Sequence, residues 1–337
     1  METDKFYGML CLVGNAGALQ ANNDASYPEL HLNLWEHVDQ VFLDVGLRIK
    51  NTFPFHYIYF YFPWRSQDGS IVDLTPTINS AVAVAAIFNE SWQVTQLPHS
   101  SAAIVRDPTT GRVQFQIVGP DKFLSIDNES NLSHRLTLDF RELVRTEHIE
   151  AEDIYIRFRV KGVPKEFYAV GLMQGDKGLV SSWTKNEFLD FRLNVRRGAP
   201  PGLESKVGRF LSFSKVHLFL MRHRSYELVF QDSAFKSCRS LEDEDFWANY
   251  SHVGHESSQN ESIKKAYVAD SLGYQWTKRR SVESPVDEFG ILARFKRIEL
   301  SVLTFLVFVV VFGAAGNATW DLVTWLGSKL ANLLFHP

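Results

Sequence analysis

Tyr155, Arg157, Arg159 and Lys161 alternate with Ile154, Ile156, Phe158 and Val160, and side chains along a strand point alternately to its two faces. One face of this segment is therefore apolar and the other is a basic strip. A guanidinium is a planar fork of donors that meets a phosphate or carboxylate bidentately. Arg192, Arg196 and Arg197, then Arg222, His223 and Arg224, lie on or beside further strand-like segments. If these side chains converge, the chemistry they offer is capture of an anion: a nucleotide, a nucleic-acid backbone or an acidic protein surface. The candidate ligand set is thus Arg157, Arg159, Lys161, Arg192, Arg196, Arg197, Arg222 and Arg224. The competing reading pairs each arginine with a nearby acid such as Asp153, Glu187 or Asp190, or leaves it in solvent.

Other reactive patterns are sparse. His252 and His255 are spaced as two ligands on a helix could be, but they sit in a serine-containing stretch with no third ligand close by, which reads as a solvent-exposed pair. The acidic run Glu242 to Asp245 reads as a solvated helix face rather than a cation site. The chain has no nucleophile elbow, phosphate-binding loop, dinucleotide fingerprint or zinc-protease motif, so the sequence points to no enzyme and to no cofactor or metal. Cys11 and Cys238 are far apart and in no motif, which fits a reducing compartment. Thirty-five Lys plus Arg against 39 Asp plus Glu give a net charge of −4, and that balance predicts no general affinity for nucleic acid.

The C-terminal forty residues differ from everything before them. Leu300 to Gly316 carries no charge. The stretch 298–318 is roughly 31 Å long as a helix, enough to cross a hydrocarbon core of about 30 Å. Beyond it, Asp321, Thr324, Ser328 and Asn332 fall on one stripe of a helix, with Trp320, Val323, Trp325, Leu326, Leu330, Leu333 and Leu334 around the rest. Two readings of 319–335 stand: an interfacial helix with its tryptophans at headgroup level, or a second short crossing whose polar stripe faces other copies. Gly313, Gly316 and Asn317 supply a turn for such a hairpin. Arg294, Lys296 and Arg297, with Lys278 to Arg280, precede the apolar run, and basic residues so placed stay cytoplasmic. Together with Trp320 and Trp325 they form the expected membrane interface. Phe6 to Leu19 makes a poor export signal, because Glu2 and Asp4 precede it and Gly14, Asn15 and Gly17 interrupt it. Against a cytosolic location stand six N-x-Ser/Thr triplets, at Asn89, Asn128, Asn131, Asn249, Asn260 and Asn317, the acceptor pattern of secreted proteins.

The elements that must position these residues are mostly strands. With 45% hydrophobic and 13% aromatic residues, the chain can build a substantial core. Short runs rich in β-branched and aromatic residues, punctuated by Gly, Pro, Asp and Asn, predict strands at 57–62, 102–105, 112–118, 135–140, 154–163, 188–195, 215–221 and 226–231. The aromatic run Tyr57 to Phe62 is expected between sheets. Leu34 to Val45 and Ile78 to Phe88 are ambiguous helices, and Leu241 to Tyr250 a short acidic one. The expected fold is mainly β, one or two sandwich-like units with few short helices, plus a C-terminal transmembrane helix or helical hairpin. Residues 1–24 form an N-terminal segment and 25–238 a β-rich domain with a subdivision near 120–132. Residues 239–297 supply the acidic helix, a polar linker and the basic juxtamembrane segment, and 298–337 the membrane part.

In layout, the tail from about 294 to 337 resembles the two-transmembrane effectors of bacterial anti-phage systems, the class found with retrons and cyclic-oligonucleotide signalling. The resemblance implies a soluble domain restrained or triggered by a ligand or by a regulatory protein or nucleoprotein partner. It further implies a tail that homo-oligomerises and permeabilises the inner membrane bilayer, with Asp321, Thr324, Ser328 and Asn332 lining the opening. The alternative is a membrane-anchored binding or scaffold protein whose tail only localises it.

Overall fold

The structure, a computed structural model, describes residues 8–14, 27–37, 40–65, 70–98, 102–130, 133–173, 184–197, 199, 203–242, 244–254, 261–282, 284–298 and 302–335. In chain order the strands are β1 (Leu10–Gly14), β2 (Glu29–Glu36), β3 (Val41–Lys50), β4 (Tyr57–Phe62), β5 (Ile71–Asp73), β6 (Gln93–Gln96), β7 (Ala103–Arg106), β8 (Val113–Ile117), β9 (Leu124–Ser130), β10 (Ser133–Asp139), β11 (Asp153–Val160), β12 (Ala169–Met173), β13 (Thr184–Leu193), β14 (Arg209–Phe210), β15 (Lys215–His223), β16 (Tyr226–Gln231), β17 (Ser237–Ser240), β18 (Ser271–Arg279) and β19 (Phe289–Ile298). The helices are α1 (Thr75–Ile78), α2 (Ala81–Phe88), α3 (Phe140–Thr146), α4 (Leu203–Val207), α5 (Glu244–Ser251), α6 (Glu261–Ala269) and α7 (Val302–Phe335).

The fold is mainly β. A five-stranded sheet runs β14-β1-β4-β10-β9, a ten-stranded one β17-β18-β15-β2-β3-β11-β8-β7-β6 with β5 also on β11, and a four-stranded one β12-β13-β19-β16. Strict alternation explains the pairing of the first two. In β2, Leu30, Leu32 and Leu34 point one way, as do Val45 and Leu47 in β3, Ile156 and Phe158 in β11, and Leu218 and Leu220 in β15. These side chains share one buried cluster with Cys11 and Val13 of β1, Ile58, Phe60 and Phe62 of β4, and Leu136 and Leu138 of β10. Phe60 and Phe158 meet edge to face at 5.6 Å across it. This is sheet-on-sheet packing, and it places the aromatic run 57–62 where the sequence puts it.

Several expectations need correcting. Within 239–297, α5 is the acidic helix expected at 241–250, most of the polar linker lies outside the described residues, and the stretch that follows is more than a connection, because β18 is an interior strand of the large sheet, paired with β15 on one side and β17 on the other. Leu34 to Val45 is a strand pair, the end of β2 and the start of β3, while 78–88 does hold a helix, α2. Ser80 Oγ caps α2 by accepting from the Ala83 amide, and Asn89, left-handed at φ 57°, ends it. Residues 120–132 separate no domains: β8 and β9 on either side belong to different sheets of one unit. Of the N-terminal segment 1–24 the structure describes 8–14, which contain β1, a strand between β4 and β14.

The chain divides into two compact units: Met1–Leu172 with Glu187–Phe295, and Met173–Asn186 with Lys296–Pro337. The second unit holds α7, a single helix of 34 residues. No hairpin turn forms at Gly313, Gly316 or Asn317. Were this helix in lipid, its backbone polar groups would have no other partners, which would keep these weak helix formers helical. Thr319 Oγ1 donates back to the Ala315 and Gly316 carbonyls at 2.7 and 2.9 Å. The stretch Val309–Lys329 is long and apolar enough to cross a membrane.

Candidate ligand-binding site

The second face of the ten-stranded sheet carries the site. Glu29, His31, Asn33 and Trp35 of β2 alternate with its leucines and share this face with His217, Phe219 and Met221 of β15, Phe42, Asp44 and Gly46 of β3, and Tyr155, Arg157 and Arg159 of β11. The alternation read in Ile154 to Lys161 is therefore correct, but its polar face is not open to solvent. Trp35, Phe42 and Tyr155 are buried with Ala83 and Val84 of α2 and Trp247, Ala248 and Tyr250 of α5, and Arg157 and Arg159 are fully buried.

Asp44 is the partner the sequence did not suggest. Its Oδ1 accepts from Arg159 Nε at 2.6 Å; its Oδ2 accepts from Arg159 Nη2 at 3.1 Å, Trp35 Nε1 at 2.8 Å and the Tyr250 hydroxyl at 2.8 Å. Burial alone would raise this carboxyl, but the Arg159 guanidinium, with Arg157 and Tyr250, outweighs it and holds Asp44 below the usual carboxylate range. Arg159 Nη1 donates to the carbonyls of Tyr250, Ser251 and Val253 at 3.1, 3.0 and 2.9 Å. A buried cation thus caps the C-terminal end of α5, where the last carbonyls lack partners within the helix. Arg157 donates to the Tyr250 hydroxyl at 2.6 Å and the Tyr155 hydroxyl at 2.8 Å. Gly46 leaves the room for this: a Cβ there would stand 2.9 Å from Arg157 Nη1.

Beside this cluster is a recess whose wall includes His31, Asn33, Arg157, Arg239, Trp247, Gly273 and Gln275. Three of its lining residues each hold one polar atom, Arg157 Nη2, Asn33 Oδ1 and His31 Nε2, that is buried without a hydrogen-bond partner among the described residues. Arg157 Nη2 has a 3.6 Å approach to Asp44 Oδ2. Arg239, Leu241 and Trp247 also line an outer cavity of about 400 Å³, whose rim includes Asn89, Glu90 and Glu242. Arg239 Nη1 donates to Asn89 Oδ1 at 3.0 Å, joining β17 to the end of α2 across that cavity.

At the other side of His31 lies a second cluster. Glu29, His31 and His217 each bring one ligand-type atom within 4.8 Å of the others. Burial, with His31 and Lys215 nearby, lowers His217 to about 2; burial likewise lowers His31. Burial would raise Glu29, but His31 and Lys215 bring it down to about 2.

The remaining arginines do not join Arg157 and Arg159. Arg222 is buried on the opposite face of the sheet, bonded to Glu36 at 2.6 and 3.1 Å and to Glu187, with its guanidinium over the rings of Tyr226 and Phe295. Arg192 forks onto Asp190, and Arg224 pairs with Asp270 at 2.9 Å. Arg196 lies over Phe210, Arg197 is exposed, and Lys161 follows the last residue of β11. The anion-binding strip across all eight residues is thus replaced by separate ion pairs, as the competing reading had it for Arg192 and Arg222. His252 is buried against His37 and Tyr267 rather than exposed, and His255 is outside the described residues. Asp245 of the acidic run pairs with Lys265 at 2.7 Å. Arg294, Lys296 and Arg297 are half-buried residues of β19, the strand that precedes α7. On α7, Trp320, Asp321, Thr324, Trp325 and Ser328 are exposed, and Asn332 lies on the same helix. Thr324 and Ser328 donate to carbonyls of their own helix.

His31, Asn33, Asp44, Glu29 and His217 were missed, although the run ELHLNL alternates as strictly as Ile154 to Lys161; in KVHLFLM the alternation stops at His217, since Phe219 and Met221 on its face are apolar. No protein-family model matches the chain. No curated protein matches it either. Among solved structures it aligns with the Mu homology domain of Fcho1 from Danio rerio with bound Eps15 peptide, at 8% identity over 88% of this chain and 82% of that one, with a TM-score of 0.14. Such an overlay carries no inference about function.

Proposed function

We propose that the chain is a membrane-anchored binding protein in which the β-rich unit takes up a small polar ligand and α7 is the anchor. One observation carries the reading: Arg157 and Asn33, which line a recess of about 20 Å³ beside a 400 Å³ cavity, each hold a buried polar atom, a guanidinium nitrogen and an amide oxygen, without a hydrogen-bond partner among the described residues. Each such atom costs about 1–3 kcal/mol when left unpaired, and folds keep such groups mainly where they serve a purpose. The donors of Arg157 and Arg239 suit a ligand with an acidic group. The basic residues preceding α7 support an inner-membrane location with the β-rich unit on the cytoplasmic side.

The test is thermal melting of the full-length protein in detergent with inorganic phosphate, citrate and AMP. A ligand at 100 times its Kd stabilises by about 2.7 kcal/mol. At least one probe should raise the melting temperature of the parent and fail to raise that of Asn33→Ala. A flat response to all three overturns the acidic-ligand reading.

Asp321 favours a second reading, that of a membrane-permeabilising effector of the anti-phage type. An ionisable side chain within a candidate span usually faces a bundle interior or a wet cavity, which supports assembly of several copies along the stripe. Replacing Asp321, Thr324, Ser328 and Asn332 with leucine should then preserve membrane targeting and abolish depolarisation of expressing cells. Equal depolarisation by the leucine variant removes this reading.

A further inference from the structure

We propose that Glu29, His31 and His217 form a binding site for one divalent cation of the zinc type. The argument starts from strand register. β2 and β15 run parallel with His31 opposite His217, and Glu29 is two residues before His31 on the same face. Three groups from two neighbouring strands are thereby held with their ligand atoms within 4.8 Å. Around a zinc ion with bonds near 2.0–2.1 Å, ligand atoms stand about 3.3 Å apart, so modest side-chain rotations close the site.

The His31 ring supplies the independent observation. Its Nε2 is buried, has no hydrogen-bond partner among the described residues, and lies 3.7 Å from Glu29 Oε2. That separation is too long for a hydrogen bond. In the tautomer that carries its proton on Nδ1, Nε2 presents a lone pair toward this carboxylate oxygen, and a cation between the two would bind both. Each ring also has a polar neighbour on Nδ1: Tyr155 Oη at 3.5 Å for His31 and Thr277 Oγ1 at 2.8 Å for His217. Metal-binding histidines are oriented in this way through the nitrogen that does not touch the metal.

The donor set selects the metal. Two imidazoles and one carboxylate suit zinc or its neighbours, whereas calcium and magnesium prefer oxygen ligands throughout. Three protein ligands leave a fourth position open. His31 also lines the recess, so a bound cation would stand at its edge. Lys215 competes, with Nζ 3.7 Å from Glu29 Oε2, but its side chain is partly exposed and can turn to solvent.

The test is titration of the chelator-stripped, full-length protein in detergent with cobalt chloride, followed by its visible d–d bands. One cobalt per chain should bind, and one equivalent of zinc should displace it. Glu29→Gln and His217→Gln should each lose more than about 100-fold in affinity, beyond the loss from disturbing a residue that merely orients a ligand. His223→Gln, an exposed histidine, should bind as the parent does. Should His217→Gln melt early, the partly exposed Glu29 still carries the test, since its glutamine variant leaves the strand intact. Absence of bands in the parent, or parent-like binding by Glu29→Gln, overturns the proposal.

Discussion

Asp44→Asn isolates the interaction that fixes α5 over the recess. Asp44 and Arg159 are both fully buried, and Asp44 accepts four hydrogen bonds, two from Arg159 and one each from Trp35 and Tyr250. Asparagine fills the same volume, but it removes the charge that offsets two buried guanidiniums and turns an NH2 toward donors. Removing one partner of a buried pair costs about 3–5 kcal/mol. With about 2.1 cal/mol/K of unfolding entropy per residue, each kcal/mol lowers the melting temperature of this 337-residue chain by about 1.4 °C, so the expected drop is about 4–7 °C. Trp35 lies 5.7 Å from Trp247 of α5 and bonds to Asp44, so tryptophan fluorescence during thermal or urea unfolding reports the event directly. Glu152→Gln, at an exposed ion pair with Lys50, should leave the midpoint unchanged. Asp44→Asn combined with Arg159→Met should cost less than the sum of the two single changes by at least about 1 kcal/mol. A single Asp44→Asn loss below about 1 kcal/mol, or strict additivity of the pair, would falsify the account of how α5 is held.

Other outcomes follow from the same face of the sheet. His217 and His31 have lowered values in the folded chain, so the unfolded chain binds more protons below about pH 6.5; their contribution is complete above that pH and fades as pH falls toward the folded values. With His217 at about 2, it alone should remove about 2 kcal/mol between pH 7 and pH 5, and His217→Gln should flatten the pH dependence of urea midpoints over that window. Gly46→Ala places a Cβ against the Tyr155 hydroxyl and Arg157, and overpacking of this kind costs about 1–3 kcal/mol, read as a lower melting temperature without change of fold by circular dichroism. Lys215→Gln removes the ammonium that competes for Glu29, and should tighten cobalt binding; weaker binding contradicts the proposed ligand set.

Local alternation made much of the β architecture legible. Strands 57–62, 135–140 and 226–231 were within a residue or two of their observed bounds, because each is a short β-branched or aromatic run stopped by turn residues. What alternation cannot reveal is what covers the second face. Arg157 and Arg159 read as a solvent strip because nothing local says that α5, some ninety residues on, closes over them. The partner of Arg159 is 115 residues away in sequence. Of β18 only Tyr274 to Trp276 reads as a strand in the sequence, because its basic end, Lys278 and Arg279, resembles a flank of the membrane segment, while its pairing with β15 is a long-range fact. Glycine and asparagine at 313, 316 and 317 signal a turn in water, where the backbone can bond to solvent, and not within a long apolar helix.

The length of α7 has a consequence for where Asp321 resides. Thirty-four residues make a rod of about 51 Å, whereas the hydrocarbon layer is about 30 Å thick. At a steep tilt of about 40°, the upper end of what spanning helices adopt, the layer accommodates about 26 residues. About two turns must therefore project into headgroups or water. On the membrane reading proposed above, bilayer thickness would act as a dial: thick, sterol-like lipid would draw the aspartate inward and favour pairing with a neighbour's polar edge, while thin lipid would leave it hydrated and the helix solitary.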